Sequence, residues 1–180
     1  MIRKYIFFIL SVFFMVTQLY GQNLFMTKKG HLKIMTKVND TIYETESQEL
    51  SISLNYTTKQ VRGTLNLKTL QTQIPELKEY LSLLENPLII TFEGTIPKDD
   101  FMVQSHGPIE FNWLITVNYN NGSFETVLKT TLQHIEEGST FACRLSSFGS
   151  LAVNKLKLDE LIPNLEDFIE IRFIQVILRV

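Results

Sequence analysis

Residues Gln60–Ile96, QVRGTLNLKTLQTQIPELKEYLSLLENPLIITFEGTI, constrain the fold more than any other stretch of this chain. Val61, Gly63, Leu65 and Leu67 alternate with polar residues, the period-2 pattern of a half-buried strand. A helical pattern follows. Pro75 suits a first helical turn, where its missing N–H costs nothing, and Glu76 and Glu79 complement the positive helix end. Leu77, Leu81 and Leu84 form an apolar stripe with Tyr80 beside it, and Asn86-Pro87 stops the helix. A helix over about 75–85 is too short to persist in water unaided, so it must dock. A second alternating strand, Leu88, Ile90 and Phe92, then begins.

The same alternation recurs along the rest of the chain. Leu50, Ile52, Leu54 and Tyr56 share one face; Phe111, Trp113, Ile115 and Val117 form the most aromatic one. Phe124, Leu128 and Leu132, with Thr126 and Thr130 between them, and Phe141, Cys143 and Leu145 make two more. Asn120-Asn121-Gly122 between two such runs is a strong hairpin signal, and Thr57–Gln60 and Glu136–Ser139 close two others. In the last segment the apolar phase switches at Phe173-Ile174, which predicts a bulge or a strand covered on both faces. Leu151–Pro163 reads as a short helix or a loop. Many short strands with tight turns predict an all-β, antiparallel, up-and-down, lipocalin-like barrel of about eight strands with one short helix inserted. Closure removes exposed edges, and this favours the barrel over a sandwich.

The N-terminus has a secretory layout: Arg3 and Lys4, an apolar run Tyr5–Val16, then small and polar residues up to Gln22. Cleavage is expected between Gly21 and Gln22, because the apolar run is shorter than the roughly 20 residues a spanning helix needs. The domains are therefore a signal peptide, 1–21, and a barrel, 22–180, with periplasmic or secreted localisation and no stable membrane anchor after cleavage. Removing residues 1–21 takes Lys+Arg from 17 to 15 against 19 Asp+Glu, a net charge of −4. A mildly acidic chain without a basic cluster is a poor partner for nucleic acid. The single Cys143 cannot form an internal disulfide, and in its apolar run it reads as a buried, inert thiol.

The residues name no reaction. His31, His106 and His134 form no metal-ligand spacing and read as solvent or turn histidines. There is no GxSxG elbow, no phosphate-binding glycine loop and no histidine near Cys143 in sequence. Asp99-Asp100 reads as a solvated turn. No catalytic residue, metal or cofactor is expected. What remains is an apolar surplus, including 13 Phe, of which Phe7, Phe8, Phe13 and Phe14 lie in the leader. A barrel of about eight strands either fills its interior or holds one small ligand. Gly63, Thr126 and Thr130 on inward faces leave space, and this points to a cavity.

The run SISLNYTTKQVRGTLNLKTLQT leading into a helical insert, the strand LIITFEGTI with Pro87, Phe92, Gly94 and Ile96, and the ending FACRLSSFGS…FIEIRFIQVILRV together resemble the YceI-like proteins, exported bacterial lipocalin-like barrels. The resemblance covers most of residues 31–180 and rests on apolar spacing. Gln73, Ile74 and Pro75 stand where many members carry an acidic residue and a histidine, and the family's glycine-rich hairpin survives only loosely from Gly107 to Ile115, so the chain looks like a divergent branch. The resemblance implies a barrel cavity for a polyisoprenoid chain and no catalysis.

The expectation is an exported protein holding an elongated apolar ligand, an isoprenoid or other lipid. Leu54, Leu65, Phe92, Phe111, Trp113, Ile115, Leu128 and Leu145 are the candidate cavity wall, with Leu77 and Leu81 as lid. The rivals are an interaction module with a filled core and a hydrolase whose site is assembled from distant residues.

Overall fold

The computed structural model of the chain describes residues 24–99, 107–137 and 140–179. The expected leader, His106 and Asp100 lie outside the described residues.

Strands β1 (Leu24–Val38), β2 (Thr41–Asn55), β3 (Gln60–Asn66), β4 (Gln71–Thr72), β5 (Ile89–Thr95), β6 (Ile109–Tyr119), β7 (Gly122–Glu137), β8 (Thr140–Ala152) and β9 (Phe168–Arg179) pair in the order β1-β9-β8-β7-β6-β5-β3-β2-β4. A β1–β2 pairing closes the sheet. Every pairing is antiparallel. The result is a closed barrel of eight strands, with the two-residue β4 extending the place of β3 along β2 at Thr45 and Glu46. The one α-helix among the described residues, α1 (Pro75–Leu83), is inserted between β4 and β5. This is the lipocalin-like barrel that the alternation and turns predict.

The turns are built as their residues require. Asn39-Asp40 and Asn120-Asn121 all have positive φ, the conformation of the tightest hairpin turns, which Asn and Asp tolerate best. The Asn39-Asp40 turn joins β1 to β2 and was not read from the sequence. Lys59, also at positive φ, ends the Thr57–Gln60 connection. The phase switch in β9 is a bulge: Leu145 pairs with Val176 but Ser147 with Phe173, so β9 carries one extra residue, and Gln175 adopts φ 42°. The bulge keeps Ile169, Ile171 and Phe173 inward and then returns Val176 and Leu178 to the same side, all buried. Between β8 and β9, residues 153–167 form a short 3-10 turn and loop, tied to the barrel by a Val38–Leu165 bridge.

Connectivity gives the barrel two unlike ends. The Asn39-Asp40 and Asn120-Asn121 turns, α1 and the 153–167 segment lie at one, the helical end; the Thr57–Lys59 turn and the paired strand ends Glu137 and Thr140 lie at the other. Outward faces carry charged residues, as in the Lys33–Glu44 and Arg62–Glu93 pairs, and the interior is apolar, the reverse of a membrane-spanning barrel. Among the described residues no helix is long and apolar enough to cross a membrane.

Candidate functional site

The barrel interior is filled in one half and hollow in the other. Toward the far end Leu54, Trp113, Leu128, Leu132, Cys143, Leu145 and Leu178 are all fully buried against one another. Toward the helical end lies a cavity of about 470 Å3, within the range of small-molecule sites. Its barrel wall comes from Leu32, Ile34, Leu65, Ile115, Val117 and Ile171, among others. Phe92 and Phe173 stack at 5.2 Å between ring centroids, and both line the cavity. Phe92 also meets Trp113 edge-on at 6.2 Å. This aromatic set forms the floor between the two halves.

The roof is α1 and the loop after β8. Pro75 opens the helix, and Ile74 just before it is 1% exposed. Ile74 packs with Val38 and Ile162, the latter from the 153–167 segment, and so pins both roof elements to the end of β1. Leu77 and Leu81 reach the cavity from the helix, as do Leu158 and Ile162 from the loop. The segment before α1 is held to β2 by hydroxyl pairs, Thr45–Thr72 at 2.8 Å and Ser47–Thr69 at 2.7 Å. The helix ends at Leu83, earlier than the Asn86-Pro87 stop implies, and the Lys68 ammonium donates to the Leu84 carbonyl at 2.6 Å.

Of the residues expected in the cavity wall, Leu65, Phe92 and Ile115 line the cavity, and the lid residues Leu77 and Leu81 do so as well. Leu54, Phe111, Trp113, Leu128 and Leu145 do not; they lie in the filled half. Alternation identifies the inward face of a strand but not its height in the barrel, and height decides between packing and cavity. Gly63, Thr126 and Thr130, the positions expected to leave space, do not line the cavity either. A Cβ on Gly63 would lie 2.0 Å from the Phe92 ring, so the ring fills that gap. Thr130 bonds to Ser147 at 2.9 Å, and the Thr126 hydroxyl donates to the Ser150 carbonyl at 3.1 Å. Sequence reasoning missed Ile74, the 156–162 roof and the two cavity threonines, Thr36 and Thr45. The alternation Leu32, Ile34, Thr36, Val38 carried the signal for Thr36.

The cavity lining is uncharged except at its rim, where Lys157 and Glu160 are exposed. Tyr80 and Tyr119 also border it; burial, reinforced by the neighbouring Tyr80, holds the Tyr119 phenol above its ordinary range and therefore neutral.

The two described histidines, His31 and His134, belong to no metal-holding group. His31 pairs with Glu46 at 3.1 Å, beside the Lys33–Glu46 pair. His134 differs from the expected solvent histidine. It is half-buried, opposes Cys143 across β7–β8 and hydrogen-bonds Tyr56 through Nε2. Cys143 thus has a histidine neighbour that sequence separation concealed. Burial nevertheless pushes its thiol up to about 12, the opposite of an activated nucleophile. Among the described residues no group of three or more His, Cys, Asp or Glu could hold a metal ion.

No family model matches the sequence, and no curated protein resembles it significantly. Solved structures do match the fold. A polyisoprenoid-binding domain from Saccharophagus degradans implicated in plant cell wall breakdown superposes with a TM-score of 0.62, covering 87% of this chain and 97% of its own, at 11% identity. BcnA from Burkholderia cenocepacia superposes with a TM-score of 0.53, covering 84% of this chain and 96% of its own, also at 11% identity. The fold implied by the YceI-like resemblance is therefore the fold of the chain: a lipocalin-like barrel shared nearly end to end with a domain described as polyisoprenoid-binding.

Proposed function

We propose that the protein binds the hydrocarbon chain of one elongated apolar molecule, an isoprenoid or other lipid, in the helical half of its barrel, as a divergent YceI-like protein. The observation that carries this reading is the 470 Å3 apolar cavity beneath α1, in a barrel whose other half is tightly filled. Each CH2 group moved from water into such a lining contributes about 0.8 kcal/mol. The likeness to a polyisoprenoid-binding domain supports the same ligand class. The protein acts by shielding and carrying its ligand rather than by transforming it, and the leader exports it to the periplasm or beyond. Cleavage after Gly21 would appear as the mass of the exported protein.

Native mass spectrometry of the exported protein tests the reading directly. A bound lipid, or saturable uptake of an added polyprenol, is expected. Trp113 lies behind Phe92, so its emission reports filling of the cavity indirectly. Absence of any co-purified lipid, together with no uptake of polyprenols by mass or emission, would refute the function.

A further inference from the structure

We propose that Thr36 seats an uncharged oxygen function of the ligand, so that the cavity selects a long-chain alcohol or ketone over a bare hydrocarbon or a phosphate ester. This rests on the apolar-ligand reading above and names the ligand class within it. Thr36 lies near the end of β1, is 8% exposed and lines the cavity. Its Oγ1 is buried and has no hydrogen-bond partner among the described residues. The other buried hydroxyls among the described residues are matched: Thr45 with Thr72 at 2.8 Å, Ser47 with Thr69 at 2.7 Å, Thr130 with Ser147 at 2.9 Å. A buried hydroxyl left unmatched weakens folding unless something completes it, and in an apolar cavity an oxygen on the ligand can do so.

A second group shapes the same spot. Ile34 pairs with Thr45 and Thr36 with Tyr43, so Thr36 and Thr45 are diagonal neighbours on adjacent strands, both facing the cavity. Thr45 donates its proton to Thr72 and keeps acceptor capacity. A ligand hydroxyl could therefore accept from Thr36 and donate to Thr45, whereas a ketone could only accept. Among the described residues the one cation that lines the cavity, Lys157, is exposed at its rim beside the exposed Glu160, so a phosphate beside Thr36 would be desolvated without a counter-charge. Thr36 is at the helical end, so the polar head sits under the roof and the chain runs down toward Phe92 and Phe173.

The test compares the mature wild type with Thr36→Val and Thr36→Ser, using a C20 isoprenoid alcohol, the C20 hydrocarbon of the same skeleton and the corresponding monophosphate as probes. The expected result is that Thr36→Val weakens the alcohol about tenfold, the size of one lost hydrogen bond. It leaves the hydrocarbon as tight or tighter, Thr36→Ser restores the alcohol, and the wild type prefers the alcohol to the monophosphate. Val removes the unmatched hydroxyl, so the melting temperature of the ligand-free variant equals or exceeds the wild type, which guards against a folding artefact. Equal effects of Thr36→Val on alcohol and hydrocarbon, or tighter binding of the monophosphate, would overturn the assignment while leaving the apolar-ligand reading intact. Failure of the wild type to bind any probe would overturn both.

Discussion

Phe92 and Gly63 show how a single pair fixes where the hollow begins. The two face each other across β3–β5, and the Phe92 ring lies in the space a side chain at Gly63 would take, 2.0 Å from the position of its Cβ. Gly63→Ala must therefore displace the ring and disturb its stacking on Phe173. Overpacking of this kind costs about 1–3 kcal/mol, read as a lower urea midpoint. In a Phe92→Leu background the same substitution should cost much less, and a double-mutant cycle would expose the coupling. Cys143 carries the second prediction at this scale. Burial raises its thiol from an ordinary 9.0 to about 12. The unfolded chain therefore loses this proton above pH 9 while the folded chain keeps it. The stability so conferred is complete below pH 9 and is lost as pH rises from 9 toward 12, with a slope of at most about 1.4 kcal/mol per pH unit. Urea denaturation from pH 8 to 11 should show a shallower decline for Cys143→Ala than for the wild type; parallel curves would refute the buried-thiol account. The sequence showed Cys143 as buried but hid its cross-strand neighbour His134, because register between strands decides that contact and local pattern does not.

At the scale of elements, the strands and turns were legible because each carries its own signal: alternation for the walls, Asn-Asn-Gly for the β6–β7 hairpin, Pro75 for the helix start. The β9 bulge was legible as well, since a switch of apolar phase within one strand leaves few alternatives. Its strained residue can be tested. Gln175 holds φ 42° and is exposed, and a non-glycine residue in that region costs about 1 kcal/mol. Gln175→Gly should recover up to about that amount in equilibrium unfolding, without changing how Val176 and Leu178 are buried. A loss of stability would mean that the Gln175 side chain supports the bulge. The roof was only half legible. The nine-residue α1 was visible from its leucine spacing. The loop that completes the roof was not, because the helical spacing of Leu158, Leu161 and Ile162 lasts a single turn before Pro163, too short a pattern to fix an element, and its packing onto the barrel is tertiary.

Across the whole molecule, the barrel divides its tasks between two halves, and the two respond oppositely to substitution. In the filled half, Leu128 is fully buried, and Leu128→Ala leaves a void in a packed core. Such truncations cost about 2–5 kcal/mol. The remaining fold should still bind ligand, since Leu128 does not line the cavity. In the hollow half, Leu65 borders the cavity at 4% exposure, and Leu65→Phe places added volume into free space. Its cost should fall below the usual range for overpacking, under about 1 kcal/mol, while it shortens the space available to a chain. A ligand at a hundred times its Kd stabilises the folded state by about 2.7 kcal/mol. Thermal unfolding with and without a saturating polyprenol separates the halves: Leu128→Ala should melt early yet keep the ligand-induced shift, and Leu65→Phe should melt near the wild type yet lose it. The sequence could not have assigned these two leucines to different roles, since both occupy inward positions on alternating strands. Their difference lies in height along the barrel, which is set by the register of eight strands together and by aromatic rings that fill one level and leave the next one open.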